Sequence, residues 1–192
     1  MAIRARFLRI VVLSLGVPGF VFGVTGPSAL ADAGVTAVAA DYGGGCVLYP
    51  DNRAATIDAL RFRCSAAQQD AVFHDAERGA APMGVKDGWV TRPPNIQGIS
   101  AGLWIGKVFY TGPDGGLLTN RVTAAGYEAF PAYVYSAPAK LDGAPTWALD
   151  YAPSPVPQIY DEIREITPGV WFGYSWWRGA VQDVILLTFV LT

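Results

Sequence analysis

From Met83 onward, apolar and polar residues alternate with a period of two, and turn residues break the alternation at short intervals, in "TGPDGG", "AAGY", "LDGAP" and "TPG". Alternate side chains of a strand point to opposite faces, so this pattern predicts a meander of antiparallel strands. The predicted strands cover residues 84–91, 102–111, 117–124, 127–136, 146–151, 159–166, 170–178 and 183–191. Eight strands are about the number that closes a small barrel whose interior holds one ligand or a solid core. The chain ends inside "VILLTFVLT", so this strand is expected to pair with the first one. Upstream the period is helical, with Ile57 and Leu60 spaced i, i+3 and a capping box at Ser65 and Gln68 opening a helix through "AQQDAVFHDAERG". Gly79 and Pro82 are expected to stop it. The predicted class is mainly β: a roughly eight-stranded antiparallel barrel over residues 83–192, preceded by a short helical segment within residues 32–82.

The first residues have a different pattern. "MAIRAR" is basic, "FLRIVVLSLGVPGFVFGV" is apolar, and Ala29-Leu30-Ala31 has the small-x-small form of a signal-peptidase site. This predicts a secretory signal over residues 1–31, cleaved after Ala31, and a secreted mature chain of single-domain length. The alternative is an uncleaved anchor, which Gly16, Pro18, Gly19 and Gly23 weaken by interrupting the apolar run. No membrane span is expected in the mature chain, because "VILLTFVLT" is too short to cross as a helix. Two cysteines, Cys46 and Cys64, suit an exported protein in which an even pair bridges. Closing that loop would contribute roughly 3 kcal/mol by loop entropy. Two buried free thiols are the other possibility.

Composition narrows the chemistry. Basic and acidic residues number 14 and 16, the charged fraction is 16%, and no basic tract offers itself to nucleic acid or to an anionic surface. His74 is the single histidine, so zinc sites built on several imidazoles or cysteine pairs are not available, and no metal or cofactor is expected. No G-x-S-x-G elbow accompanies it, and "DYGGGC" lacks the spacing of a dinucleotide or phosphate loop. His74 reads as a solvated helix residue. Six Trp and nine Tyr predict a packed apolar interior or a stacking surface.

A resemblance enters at "GLWIGKVF". Gly102-x-Trp104 opening a barrel strand resembles the Gly-x-Trp signature of lipocalins and wider calycins. The longer set is similar to small bacterial lipocalin-like proteins of unassigned activity: Trp104-x-Gly106-Lys107-x-Phe109, Asp142-Gly143, Leu149-Asp150-Tyr151, Asp161-Glu162-x-Arg164 and Pro168-Gly169-x-x-x-Gly173. The resemblance covers about half of the mature chain and implies a barrel that holds an apolar molecule. It also implies that Trp104 plugs the closed end with a late-strand arginine against it. The chain departs from the pattern by carrying its helix before the barrel. An indole beside Gly102 and Gly106 has room to lie across a barrel floor, and ligand stacking is its alternative role. Lys107, by strict alternation, falls opposite Trp104 and is expected to be exposed.

Residues 161–165, "DEIRE", concentrate charge where the chain otherwise has little. As a strand, one face carries Ile159, Asp161, Ile163 and Glu165, and the other Tyr160, Glu162, Arg164 and Ile166. As a helix, the isoleucines would form one stripe and the charges would face away. The Thr167-Pro168-Gly169 turn favours the strand. Two carboxylates in an apolar lumen would repel, whereas Glu162 and Arg164 neutralise each other, so that pair is expected to face inward with Tyr160 beside it. Three functions follow. One is a binding barrel for a small apolar molecule or lipid, lined by Trp104, Phe109, Tyr133, Tyr135, Tyr160, Trp171 and Trp176. Another is a cofactor-free isomerase, cyclase or hydrolase with Glu162 as acid or base and Arg164 or Tyr151 steadying an oxyanion. The third is a solid barrel that binds a protein through its outer face.

The leader and the cysteine pair generate a direct prediction. The protein recovered outside the cytoplasm begins at or near Asp32 and carries no alkylatable thiol until reduced; intact mass before and after reduction and alkylation checks both.

Overall fold

The computed structural model describes residues 38–192; the expected leader and its cleavage site lie outside them. A two-stranded ribbon of β1 (Ala40–Asp41) and β2 (Val47–Leu48) leads into helices α1 (Arg53–Phe62) and α2 (Ala66–Asp75). Then come β3 (Gly84–Arg92), α3 (Pro94–Leu103), β4 (Trp104–Gly112), β5 (Gly115–Val122) and β6 (Tyr127–Pro138). The chain finishes with β7 (Pro145–Asp150), β8 (Ile159–Thr167), β9 (Val170–Arg178) and β10 (Asp183–Leu191). Strands β3 to β10 form a closed antiparallel barrel in which β10 pairs with β3, as the apolar chain end predicts.

Local chemistry explains the helices. Asn52 caps α1 by accepting from the Ala55 amide at 3.0 Å. The predicted capping box opens α2, with Ser65 and Gln68 each bonding the other's backbone amide. Helix α2 ends at Asp75, where Ala76 is already extended, rather than continuing to Gly79. Cys46 and Cys64 are bridged, tying the ribbon to the α1–α2 corner. Helix α3 departs from the expected strand beginning at Gly102. Its Pro94 suits a first helical position and Ile96, Ile99 and Leu103 recur at helical spacing, but Gly98 and Gly102 weaken that signal, and none of its residues is buried.

The barrel wall is buried on both sides where it meets the helices. Outside, Tyr160, Phe172, Tyr174, Trp176 and Val190 pack against Ile57, Leu60, Val72 and Phe73 of α1 and α2. Inside, Phe109, Leu118, Trp147, Ile163, Trp171 and Leu191 form a second core. Residues 78–82 cross one end as a floor. The indole N–H groups of Trp147 and Trp171 donate to Gly79 O (3.2 Å) and Ala80 O (3.0 Å), and the Thr111 hydroxyl donates to Pro82 O. Glu165 accepts from the Ala80 amide at 2.9 Å. Gly79 has φ +67° and sits against the Glu165 side chain, so a larger residue would be strained and would clash there.

The "DEIRE" segment is a strand, within β8, but its faces are the reverse of the expectation. Asp161 and Ile163 point into the barrel, while Glu162 and Arg164 point outward beneath the helices. The two are not each other's partners. Arg164, wholly buried, makes a bidentate pair with Asp142 (2.6 and 2.7 Å), donates to Phe73 O at 2.8 Å, and lies over the Phe73 ring. Glu162 accepts from the Lys140 amide at 2.7 Å. Long-range partners decided the register, and strand-internal charge balance could not foresee them.

Arg164 therefore clamps the β6–β7 turn and the end of α2 to the wall. Arg164→Met leaves the Asp142 carboxylate without its cation and takes one donor from each of three carbonyls, those of Phe73 and Ala144 keeping a backbone donor, and is expected to cost about 3–5 kcal/mol, with Asp142→Asn added to it costing less than the sum of the singles. Urea denaturation of the two singles and the double checks this.

Candidate functional site

The upper half of the barrel encloses a cavity of about 340 Å³. Val90, Val122, Val156, Ile159, Leu187 and Phe189 supply apolar wall. At the mouth lie Ser100 and Leu103 of α3 and Phe130 of β6; Leu103 and Phe130 are exposed, so the cavity meets solvent there. Phe130 reaches this place through a left-handed backbone (φ +53°) at an irregularity in the β5–β6 register, held by the Asn120 side-chain amide donating to its carbonyl at 3.0 Å.

At the inner end the lining turns polar. Lys107, 2% exposed, donates to Tyr151 Oη at 2.5 Å, Asn120 Oδ1 at 2.9 Å and Asp161 Oδ2 at 3.0 Å. Asn120 Oδ1 also accepts from Trp104 Nε1 at 2.9 Å, and Asn120 Nδ2 donates to Tyr151 Oη at 3.0 Å. Tyr151 in turn donates to Asp161 Oδ2 at 3.1 Å. The rings of Trp104, Tyr151 and Phe189 surround the ammonium at 5.2–5.4 Å. Burial lowers the Lys107 pKa from its usual 10.5, and the neighbouring Asp161 acts in the opposite direction. Burial, then the Asp161 charge, push the Tyr151 hydroxyl well above its ordinary range, so it stays a protonated donor.

Lys107 is thus interior, not exposed, and the cause is one residue. The β4–β5 register slips between Trp104 and Gly106, where Gly106 adopts φ +136°. This bulge resets the alternation, so Trp104 and Lys107 line the same cavity instead of opposite faces. A glycine in the middle of a strand pattern was the available signal.

Of the aromatics expected around a ligand, only Trp104 lines the cavity. It forms wall rather than floor, stands edge-on to Phe189, and is accommodated by Gly88, where an added Cβ would lie 2.5 Å from the indole. The neighbouring Gly102 has open space instead. Phe109 and Trp171 belong to the inner core beside the floor, and Tyr160 and Trp176 to the outer core under the helices. Tyr133 and Tyr135 are exposed, because Ala132 and Val134 take the inward positions of β6. Among the catalytic candidates Tyr151 reaches the cavity, whereas Glu162 and Arg164 lie outside it. His74 is solvated, and among the described residues no cluster of His, Cys, Asp and Glu could hold a metal. No described helix is long and apolar enough to cross a membrane.

No protein-family model matches the chain, and no curated protein matches it. A crystal structure of a protein from Thermomonospora curvata is similar to it, with 15% identity and a TM-score of 0.45, over 67% of this chain and 87% of that one.

Glu162 carries a pH signature distinct from the cavity. Burial raises its pKa above 4.5, and the Lys140 amide only partly offsets this; the Trp176 indole N–H lies near but outside hydrogen-bond geometry. The folded state therefore binds this proton more tightly than the unfolded chain, and stability falls as pH rises from about 4.5 through the folded pKa. Denaturation from about pH 4 to pH 7 is expected to show the stability of Glu162→Gln rising relative to the parent across that range.

Proposed function

We propose that the protein is an exported, lipocalin-like carrier that holds a small apolar molecule inside its barrel. The observation that supports this reading is the cavity itself: apolar walls, access at the α3 end, and a fixed polar group at the inner end. Ligand pockets of small molecules have this composition and begin at about this size. The leader and the Cys46–Cys64 bridge support export. A cofactor-free enzyme using Glu162 as acid or base has less support, since Glu162 faces the helices and each N–H of Lys107 already has an acceptor.

The carrier reading is tested with diphenylhexatriene, a neutral probe without hydrogen-bonding groups. Its fluorescence is expected to rise saturably with protein, and Val122→Trp, which places an indole in the cavity, is expected to weaken binding by about tenfold or more while the variant still unfolds cooperatively. Native mass spectrometry of protein from its own secretion medium is expected to show a co-purifying apolar molecule. Probe binding unaffected by Val122→Trp would place the site elsewhere.

A further inference from the structure

Four chain segments frame the open end of the barrel: residues 93–105 around α3, 122–127 at the β5–β6 turn, 151–160 at the β7–β8 connection and 179–182 at the β9–β10 turn. None contains an Asp, Glu, Lys or Arg. The other end differs, with Glu77 and Arg78 leading into the floor segment and Asp114 in the β4–β5 turn. Large apolar side chains nonetheless stand in solvent at the open end. Ile99 and Leu103 lie one helical turn apart on α3, Tyr127 and Phe130 belong to the start of β6, and Trp177 and Val181 to the β9–β10 hairpin. Register ties these residues to the mouth: Leu103 and Phe130 line the cavity, Tyr127 stands opposite the cavity residue Val122, and Trp177 opposite the cavity residue Ile159. Val181, at the hairpin tip, is 98% exposed.

The charges just behind this rim are already matched. Arg92 pairs with Asp70 (2.8 Å), Arg121 with Asp87 (2.6 Å), Arg178 with Asp150 (2.8 Å) and Lys140 with Asp183 (2.5 Å). Glu128 accepts from the Tyr110 and Thr119 hydroxyls.

We propose that the rim docks onto the surface of a neutral phospholipid bilayer, with the cavity mouth against the lipid. Hydrocarbon penalises charge, and the four rim segments carry none. Exposed apolar side chains gain by leaving water, and Trp and Tyr, here Trp177 and Tyr127, are favoured where headgroups meet acyl chains. The paired cations leave no net charge to select anionic headgroups or to complement the polar border of a protein partner. The proposal concerns the rim and stands apart from the carrier reading; where both hold, an apolar ligand passes between bilayer and cavity without crossing water.

The test is flotation of the protein recovered outside the cytoplasm with phosphatidylcholine vesicles. The protein is expected to float with them equally at about 0.1 and 0.5 M NaCl, since screening weakens charge contacts and not apolar ones. Ile99→Glu combined with Val181→Glu, both outside the cavity lining, is expected to lower the ratio of bound to free protein by about tenfold or more at an unchanged melting temperature. If the double variant melts early, Val181→Glu alone decides, with a loss of about threefold expected. Flotation only with phosphatidylglycerol vesicles, abolished by salt, would overturn the proposal in favour of headgroup attraction. Equal flotation of parent and variant would place the membrane contact elsewhere and overturn it too. Absence of flotation, together with a parent dimer in sedimentation equilibrium that the variant dissociates, would assign the rim to a second copy of the chain; absence of flotation by a monomer would leave the rim without a lipid partner. Flotation does not depend on what the cavity holds, so its failure leaves the carrier reading standing, and failure of diphenylhexatriene to bind leaves the docking standing.

Discussion

A strand covered on both faces has no solvent side on which to leave a charge, and β8 is such a strand. Each ionisable group of "DEIRE" must therefore find its partner inside the protein, from another part of the chain. Asp161 takes Lys107 of β4, Glu162 the Lys140 amide, Arg164 the Asp142 carboxylate, and Glu165 the amides of Ala80 and Gly169. These bonds tie together the barrel interior, the β6–β7 turn, the end of α2 and the floor. The cluster that looks like a catalytic constellation in sequence is in this respect a set of fasteners, and only its inward member contributes to the cavity.

The covering helices create that condition. Phe73 of α2 packs edge-on against Phe172 and Tyr174 and lies under the Arg164 guanidinium, so the same residue fills the outer core and supports a buried cation. With the outer face of β8 and β9 filled, the large residues of the inner face determine where the barrel is solid. Trp147 and Trp171 occupy the floor end, where their N–H groups bond the crossing segment. Toward the other end the inward positions of β8 and β9 carry Asp161 and Ser175, which are smaller, and the cavity begins there. Its polar end is consequently held by Lys107, Asn120 and Asp161 on strands and by Tyr151 directly after β7, in a network whose members restrict one another. Such a site is prearranged for one orientation of a ligand.

Alternation of apolar and polar residues, turn residues between them and the capping box at Ser65 determined the strands and the α2 start, because these depend on neighbours within a few residues, and the number of strands with an apolar last one pointed to barrel closure. Those features are legible in the bounds of β9 and β10 and in the pairing of β10 with β3. The even number of cysteines, beside an expected export signal, likewise pointed to the bridge. Which face of β8 is inward, and so which carboxylate meets the cavity, only the tertiary structure decided. A strand with two buried faces has no polar side to mark its orientation, and the partners that neutralise its charges stand far away in sequence, at Lys107 and Asp142. Lys107 itself was hidden by the bulge at Gly106, since one inserted residue exchanges every later side chain between the two faces.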